Sequence, residues 1–160
     1  QEHLQKIAAI QLEALGRDNV PLYLVGQARQ NHQRYYRRCL RKTGPQVRLL
    51  GALESEEVLR WMLKVRVHAC PSLFETPGLA NLEAAAMGCN LALGDCPPVR
   101  EYFGSAAMYF PSHDLRAMRS AVLAALDAPP PQGLSERVLS TYTWEAAARE
   151  TAEAYGEAVS

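Results

Sequence analysis

Long hydrophobic runs are missing from these 160 residues, and no apolar stretch approaches the roughly 20 residues that a membrane-crossing helix needs. The opening residues Gln1, Glu2 and His3 have none of the character of a secretory leader. Surplus charge is missing too, because seventeen basic residues balance seventeen acidic ones. No overall field gathers nucleic acid or an anionic membrane, so an anion must be met by a local site. The four cysteines, Cys39, Cys70, Cys89 and Cys96, include no pair separated by two residues, which excludes the usual zinc and redox motifs. Two of them sit in apolar runs and read as small buried thiols, and a reducing cytoplasm is the expected compartment. Aspartate is scarce and scattered: Asp18, Asp95, Asp114 and Asp127 form no Asp-x-Asp pair for a divalent metal.

What is present is one domain's worth of alternating periodicities. Leu4, Ile7, Ile10, Leu12 and Leu15 recur at near-helical spacing within Glu2 to Leu15 and stop at Gly16. Pro21 to Val25 is a short apolar run ended by Gly26, and Val47 to Leu50 is another ended by Gly51. A basic helix over Asn31 to Thr43 lies between them. Ser55 reads as the cap of a helix reaching about Lys64, with Glu56 and Glu57 in its first turn. Val67 to Cys70 reads as strand, Leu79 to Met87 as helix, and Leu91 to Leu93 as strand. A short helix over Pro98 to Phe103, a strand over Ala107 to Phe110 and a helix over Leu115 to Leu126 behind the cap Asp114 follow. Past Pro129 to Pro131, helices over Leu134 to Ser140 and Trp144 to Val159 close the chain, packing back on the domain. Five alternations of strand and helix predict an α/β fold, a Rossmann-like parallel sheet with helices on both faces. Ligands of such sheets bind beyond the carboxyl ends of the strands, where Gly26, Gly51, the Pro71 to Gly78 loop and Gly94 fall.

The informative segment runs from Pro71 to Gly88. It sets Glu75, the Pro77-Gly78 turn, a helix start at Leu79 and Glu83 close together. The unpaired N–H groups at a helix N-terminus suit a phosphate, and Gly78 admits a ligand close to the backbone. Glu83, about one turn into the helix, can accept from a vicinal diol such as ribose, while Glu75 can hold hexose hydroxyls. One phosphate site between two readers of hydroxyl groups describes a nucleotide-sugar.

Glu75 and Glu83, separated by seven residues and followed by Ala84-Ala85-Ala86-Met87-Gly88, resemble the signature of the retaining GT-B glycosyltransferases of family four, also called glycosyltransferase group one. The resemblance takes in nearly the whole chain, including Arg100-Glu101-Tyr102-Phe103 and Tyr142-Thr143-Trp144-Glu145. It implies the C-terminal half of a GT-B fold, with residues 1–160 as the donor-binding domain and 134–160 as its closing helices. By resemblance Glu83 is the ribose-binding carboxylate and Glu75 the one that contacts the donor sugar. Thr76, Pro77, Gly78 and Leu79 face the diphosphate or sugar, and Gly26 and Gly51 line the nucleotide. The family needs no divalent metal and no further cofactor, and a UDP- or GDP-sugar is the expected donor. Thr76-Pro77-Gly78 stands where members usually have Gly-Phe-Gly, and Asn90 follows Gly88-Cys89 where they usually have proline, departures that suggest a subgroup. The resemblance also implies an opening strand, followed by an Arg and a Lys that clamp the diphosphate, ahead of the first helix, and a separate acceptor-binding domain.

Other residues read more plainly. Arg34, Arg38 and Arg41, with Arg37 and Lys42 nearby, form a solvated face, with Tyr36, Cys39 and Leu40 turned to the core; contact with the inner face of a membrane is the alternative. His68 reads as a hydrogen-bonded core histidine, and Trp144 as the anchor of the last helix. The expected function is donor binding in an enzyme that transfers a hexose to a glycan or lipid-linked acceptor, the isolated domain being inactive. A non-catalytic nucleotide-sugar-binding or scaffolding module and a GT-B nucleotide-sugar epimerase are the alternatives.

Overall fold

The computed structural model describes residues 20–26, 33–41, 44–76 and 78–158. The helix expected over Glu2 to Leu15, both ends of the helix expected over Asn31 to Thr43, and Pro77 lie outside the described residues. Among those described, the chain runs β1 (Leu22–Val25), α1 (Gln33–Leu40), β2 (Val47–Gly51), α2 (Ser55–Met62), β3 (Val67–Cys70), α3 (Leu79–Ala86), β4 (Asn90–Gly94), α4 (Pro97–Phe103), a 3-10 turn (Gly104–Ala106), β5 (Ala107–Phe110), α5 (Leu115–Asp127), α6 (Leu134–Thr141) and α7 (Trp144–Ala158). No described helix is long and apolar enough to cross a membrane.

All described ladders are parallel, as α/β alternation demands. They form two sheets rather than the single one expected: β1 pairs with β2, while β4 lies between β3 and β5. Alternation along the chain dictates parallel crossovers but does not say which strand edges meet, and β1 and β3 share no ladder. Helix α2 ties the two sheets together. Its Trp61 ring lies 4.6 Å from that of Tyr23 on β1, and the carbonyl of its last residue, Met62, accepts from Cys89 Sγ at 3.1 Å.

Every residue of β4 is buried, and its side chains alternate between two cores. Leu91 and Leu93 face a core with Met62, Leu82, Ala84, Ala85, Val99, Phe103, Leu134 and Val138. Ala92 faces the other, with Phe110, Met118, Ala121, Val122 and Ala125 from β5 and α5. Helices therefore cover both faces of the three-stranded sheet. Burial of the Cys89 thiol pushes its pKa up to about 11, the signature of an inert packing residue.

Helix ends are satisfied by both local and distant side chains. Asp114 caps α5, accepting from Arg116 N and Ala117 N. At the other end of α5, Asn90 Nδ2 donates to the carbonyls of Ala125 and Ala128, and the Arg66 guanidinium donates to those of Leu126 and Ala128. Helix α2 corrects the expected cap. Glu54, not Ser55, is the N-cap, and its N–H donates to Glu57 Oε2 at 3.2 Å.

Two apolar expectations fail. Trp144 is 78% exposed and does not anchor α7, because that helix buries only Ala146 and leaves Tyr155 in solvent as well. The junction is held instead by the Tyr142 ring, 5.0 Å from Tyr102. On α1, Arg34, Arg37 and Arg38 are exposed as expected and Tyr36 is half-buried, but Leu40 is exposed rather than turned to the core. The side chain of Cys39 lies outside the described residues.

His68 on β3 is the hydrogen-bonded histidine expected. Its Nε2 lies 2.9 Å from Asn81 Oδ1 on α3, which makes Nε2 the protonated nitrogen and latches the helix to the strand. Burial depresses its pKa below 6.5, and the Asn81 bond and the Glu75 charge only partly offset that.

Phe103→Ala is expected to cost about 3–5 kcal/mol of stability, and Trp144→Ala less than about 0.5 kcal/mol, both read from urea unfolding. The unfolded chain takes up a proton at His68 near its ordinary value of 6.5, whereas the native state resists doing so. The stability from neutral burial is therefore complete above that pH and is lost as the pH falls through it toward the depressed native value. The urea midpoint should drop between about pH 7.5 and about pH 5.5, and should drop less in His68→Gln, whose side chain does not titrate.

Candidate functional site

Strand β3 delivers the chain to the carboxyl end of the sheet, and the loop after it is seated on β4. Pro71 and Ser72 are buried. Gly94, the last residue of β4, permits this: a Cβ there would run into the Ser72 carbonyl oxygen and Ser112 Oγ. Ser112, just past β5, donates from Oγ to the Ser72 carbonyl at 2.8 Å. The loop then swings outward, exposing Leu73 and Phe74, and returns with Glu75 half-buried and Thr76 exposed.

Glu75 does not hang free. Ser72 Oγ donates to its Oε1 at 2.5 Å, and the Cys70 thiol approaches the same oxygen at 3.9 Å. Burial, the largest cause, pushes the Cys70 thiol up in pKa. Gly78 follows in the left-handed region at φ +72° and serves as the N-cap of α3. A Cβ on Gly78 would stand 2.6 Å from Asn81 Nδ2 and 3.5 Å from Glu75 Cβ, so the turn, the carboxylate's stem and the latched Asn81 are packed together.

The Gly78 carbonyl accepts from Asn81 N and Leu82 N, and no side chain caps the helix. Its first N–H groups, at Leu79 and Ala80, have no intrahelical acceptor, and both residues are exposed. Asn81, Leu82, Ala84 and Ala85 turn inward, so Glu83 shares the outer face with Leu79 and Ala80 at four- and three-residue spacing. Its carboxylate has no side-chain partner among the described residues. The helix start thus presents open amides with partial positive charge, one tethered carboxylate beside them and one free carboxylate a turn further on.

Of the residues singled out from sequence, Glu75, Thr76, Gly78, Leu79 and Glu83 lie together along this turn. Gly26 and Gly51 form a second group at the carboxyl ends of β1 and β2, where Gly26 N donates to the Gly51 carbonyl at 2.7 Å. No hydrogen bond among the described residues joins that group to the Glu75 loop. Sequence reasoning placed Gly94 at this edge without its packing role, and missed the supporting residues Ser72, Asn81 and Ser112. The Ser72-x-x-Glu75 spacing, familiar from capping boxes, and a buried Asn within an otherwise apolar helix face were available signals. Beyond Gly94, Asp95 is held by Arg100 at 2.5 and 2.8 Å, which lowers the Asp95 pKa, and the guanidinium also lies 4.3 Å from the Tyr109 ring. Among the described residues no three of His, Cys, Asp and Glu gather as a metal site.

Comparison with known proteins gives the family. The family described as Glycosyl transferases group 1 matches residues 2–128. Glycogen synthases from two Mycobacterium tuberculosis strains, CDC 1551 / Oshkosh and H37Rv, are each 29% identical over 140 residues, covering 83% of this chain and 31% of theirs. Sucrose-phosphate synthase from Thermosynechococcus elongatus superposes with a TM-score of 0.82 at 21% identity, covering 98% of this chain and 43% of that one. Anabaena HepE, solved in complex with UDP and glucose, does so with a TM-score of 0.73 at 16% identity, covering 97% of this chain and 45% of its own. The chain spans about a third of the length of the glycogen synthases it matches, and the structural neighbours share its fold. An α/β domain whose β3 loop sets two glutamates about a helix start, matched by the family across most of its length, belongs to the group 1 glycosyltransferases.

Proposed function

We propose that this domain binds the nucleotide-sugar donor of a retaining glycosyltransferase that transfers a hexose to a glycan or lipid-linked acceptor. The observation that carries the reading is the exposed, uncapped start of α3, flanked by Glu75 on the loop side and Glu83 one turn on. The amides near Leu79 receive a phosphate of a UDP- or GDP-sugar, where charge grows as the sugar departs. Glu83, without a side-chain partner among the described residues, accepts from the ribose diol, and Glu75 accepts from the sugar. Preorganised backbone donors supply the electrostatic help that a metal gives elsewhere. One structural neighbour supports donor binding by this fold: HepE was solved with UDP and glucose.

Transfer also requires an acceptor held in near-attack geometry, so the domain binds donor but does not turn it over by itself. The compartment that goes with this reading is the cytoplasm.

Calorimetric titration of UDP and GDP into the protein together with its acceptor-binding domain tests the assignment. Glu83→Gln should weaken the bound diphosphate by about tenfold, as expected for loss of a charge-assisted bond. Glu75→Gln should leave that affinity unchanged and lower the rate of sugar transfer. Equal effects of the two substitutions on diphosphate binding would contradict the division of roles.

A further inference from the structure

We infer that Ser72 is a positioning residue for the donor sugar: its hydroxyl ties down Oε1 of Glu75, so that the carboxylate meets the sugar in a fixed direction. The inference rests on Glu75 being the sugar-facing carboxylate, and it deepens that reading by assigning the group that sets its geometry. A glutamate on a loop has three rotatable bonds, and ordering it as the ligand arrives costs conformational entropy. The 2.5 Å bond from Ser72 Oγ removes that cost before binding. It also occupies a lone-pair site on Oε1, so Glu75 offers fewer acceptor sites than Glu83, whose carboxylate has no side-chain partner among the described residues.

Ser72 can impose direction because it is itself held from below. Its carbonyl accepts from Ser112 Oγ at 2.8 Å, and its backbone lies so close to Gly94 that any side chain there would collide with it. Gly94 pairs in register with Phe110 at the end of β5, two residues before Ser112. Position therefore passes from the ends of β4 and β5 through Ser72 to the carboxylate, the support that a preorganised polar group requires. Cys70 adds a thiol 3.4 Å from Ser72 Oγ on the inner side of the same cluster.

The test compares each nucleoside diphosphate with its sugar ester, using UDP with UDP-glucose and GDP with GDP-mannose, by calorimetry on the protein with its acceptor-binding domain. For the better-bound pair, Ser72→Ala should weaken the sugar ester about tenfold and change the diphosphate by less than about twofold. Ser112→Ala, which loosens Ser72 without touching the carboxylate, should give the same pattern with a fall of about threefold, and it serves where Ser72→Ala does not fold. In the Glu75→Gln background, Ser72→Ala should add less than about a twofold loss, since the two act as one unit. Equal weakening of diphosphate and sugar ester, unchanged affinity for both, or an undiminished effect in the Glu75→Gln background overturns the role of Ser72 while leaving the donor site standing. Failure of the unsubstituted protein to bind any of the four compounds overturns the donor site and this inference together.

Discussion

Strand β4 is paired on both edges and packed on both faces, and the placement of everything else follows from it. Its backbone groups are used by β3 and β5, so it can shift neither sideways nor in register without breaking two ladders. Leu91 and Leu93 commit it to one core and Ala92 to the other. A strand held on four sides ends at a fixed point, and that point is Gly94. The loop from β3 comes to rest there because glycine leaves room for the Ser72 carbonyl. The most buried part of the sheet thereby supports the segment with the most exposed chemistry.

The two glutamates of that segment are not equivalent. Glu75 stands among buried and half-buried polar groups, Ser72, Cys70 and the packed Asn81, and one of its oxygens is already engaged. Glu83 stands exposed on the outer face of α3. A tethered acceptor and a free one, separated by open helix amides, can read different parts of one extended ligand. The neutral His68 beneath Asn81 adds no competing charge to this cluster, because burial keeps it deprotonated. Asn81 transmits its hold on β3 to the Gly78 turn.

Much of this was legible from the chain. The strand over Ala107 to Phe110 and the Asp114 cap fall where periodicity and local hydrogen-bonding chemistry put them. So does the α3 start after Gly78, since each of these depends on neighbours within a few residues. The grouping of Glu75, Gly78 and Glu83 was legible for the same reason. What escaped was non-local. Ser72 and Ser112 meet across 40 positions, and Asn90 reaches the end of α5 across 35, through strand order that no short window contains. The division into two sheets escaped likewise, since it depends on which edges meet. Trp144 was misjudged because a large aromatic ring implies burial only where a partner surface faces it. The cap of α2 slipped by one residue because Glu54 and Ser55 are both able to begin a helix there.

The exposure of Trp144 has a consequence of another kind, since Trp61 is the second tryptophan of the chain. Trp61 is half-buried, with the tilted Tyr23 ring at 4.6 Å and the Lys64 ammonium 5.7 Å from its ring. The two indoles therefore emit from unlike surroundings. Trp144 lies open to iodide or acrylamide on the closing helix, while Trp61 is shielded where α2 joins the pair β1 and β2 to the rest. Fluorescence quenching separates the two signals, and loosening of the two-stranded sheet becomes visible as a change in the shielded component alone.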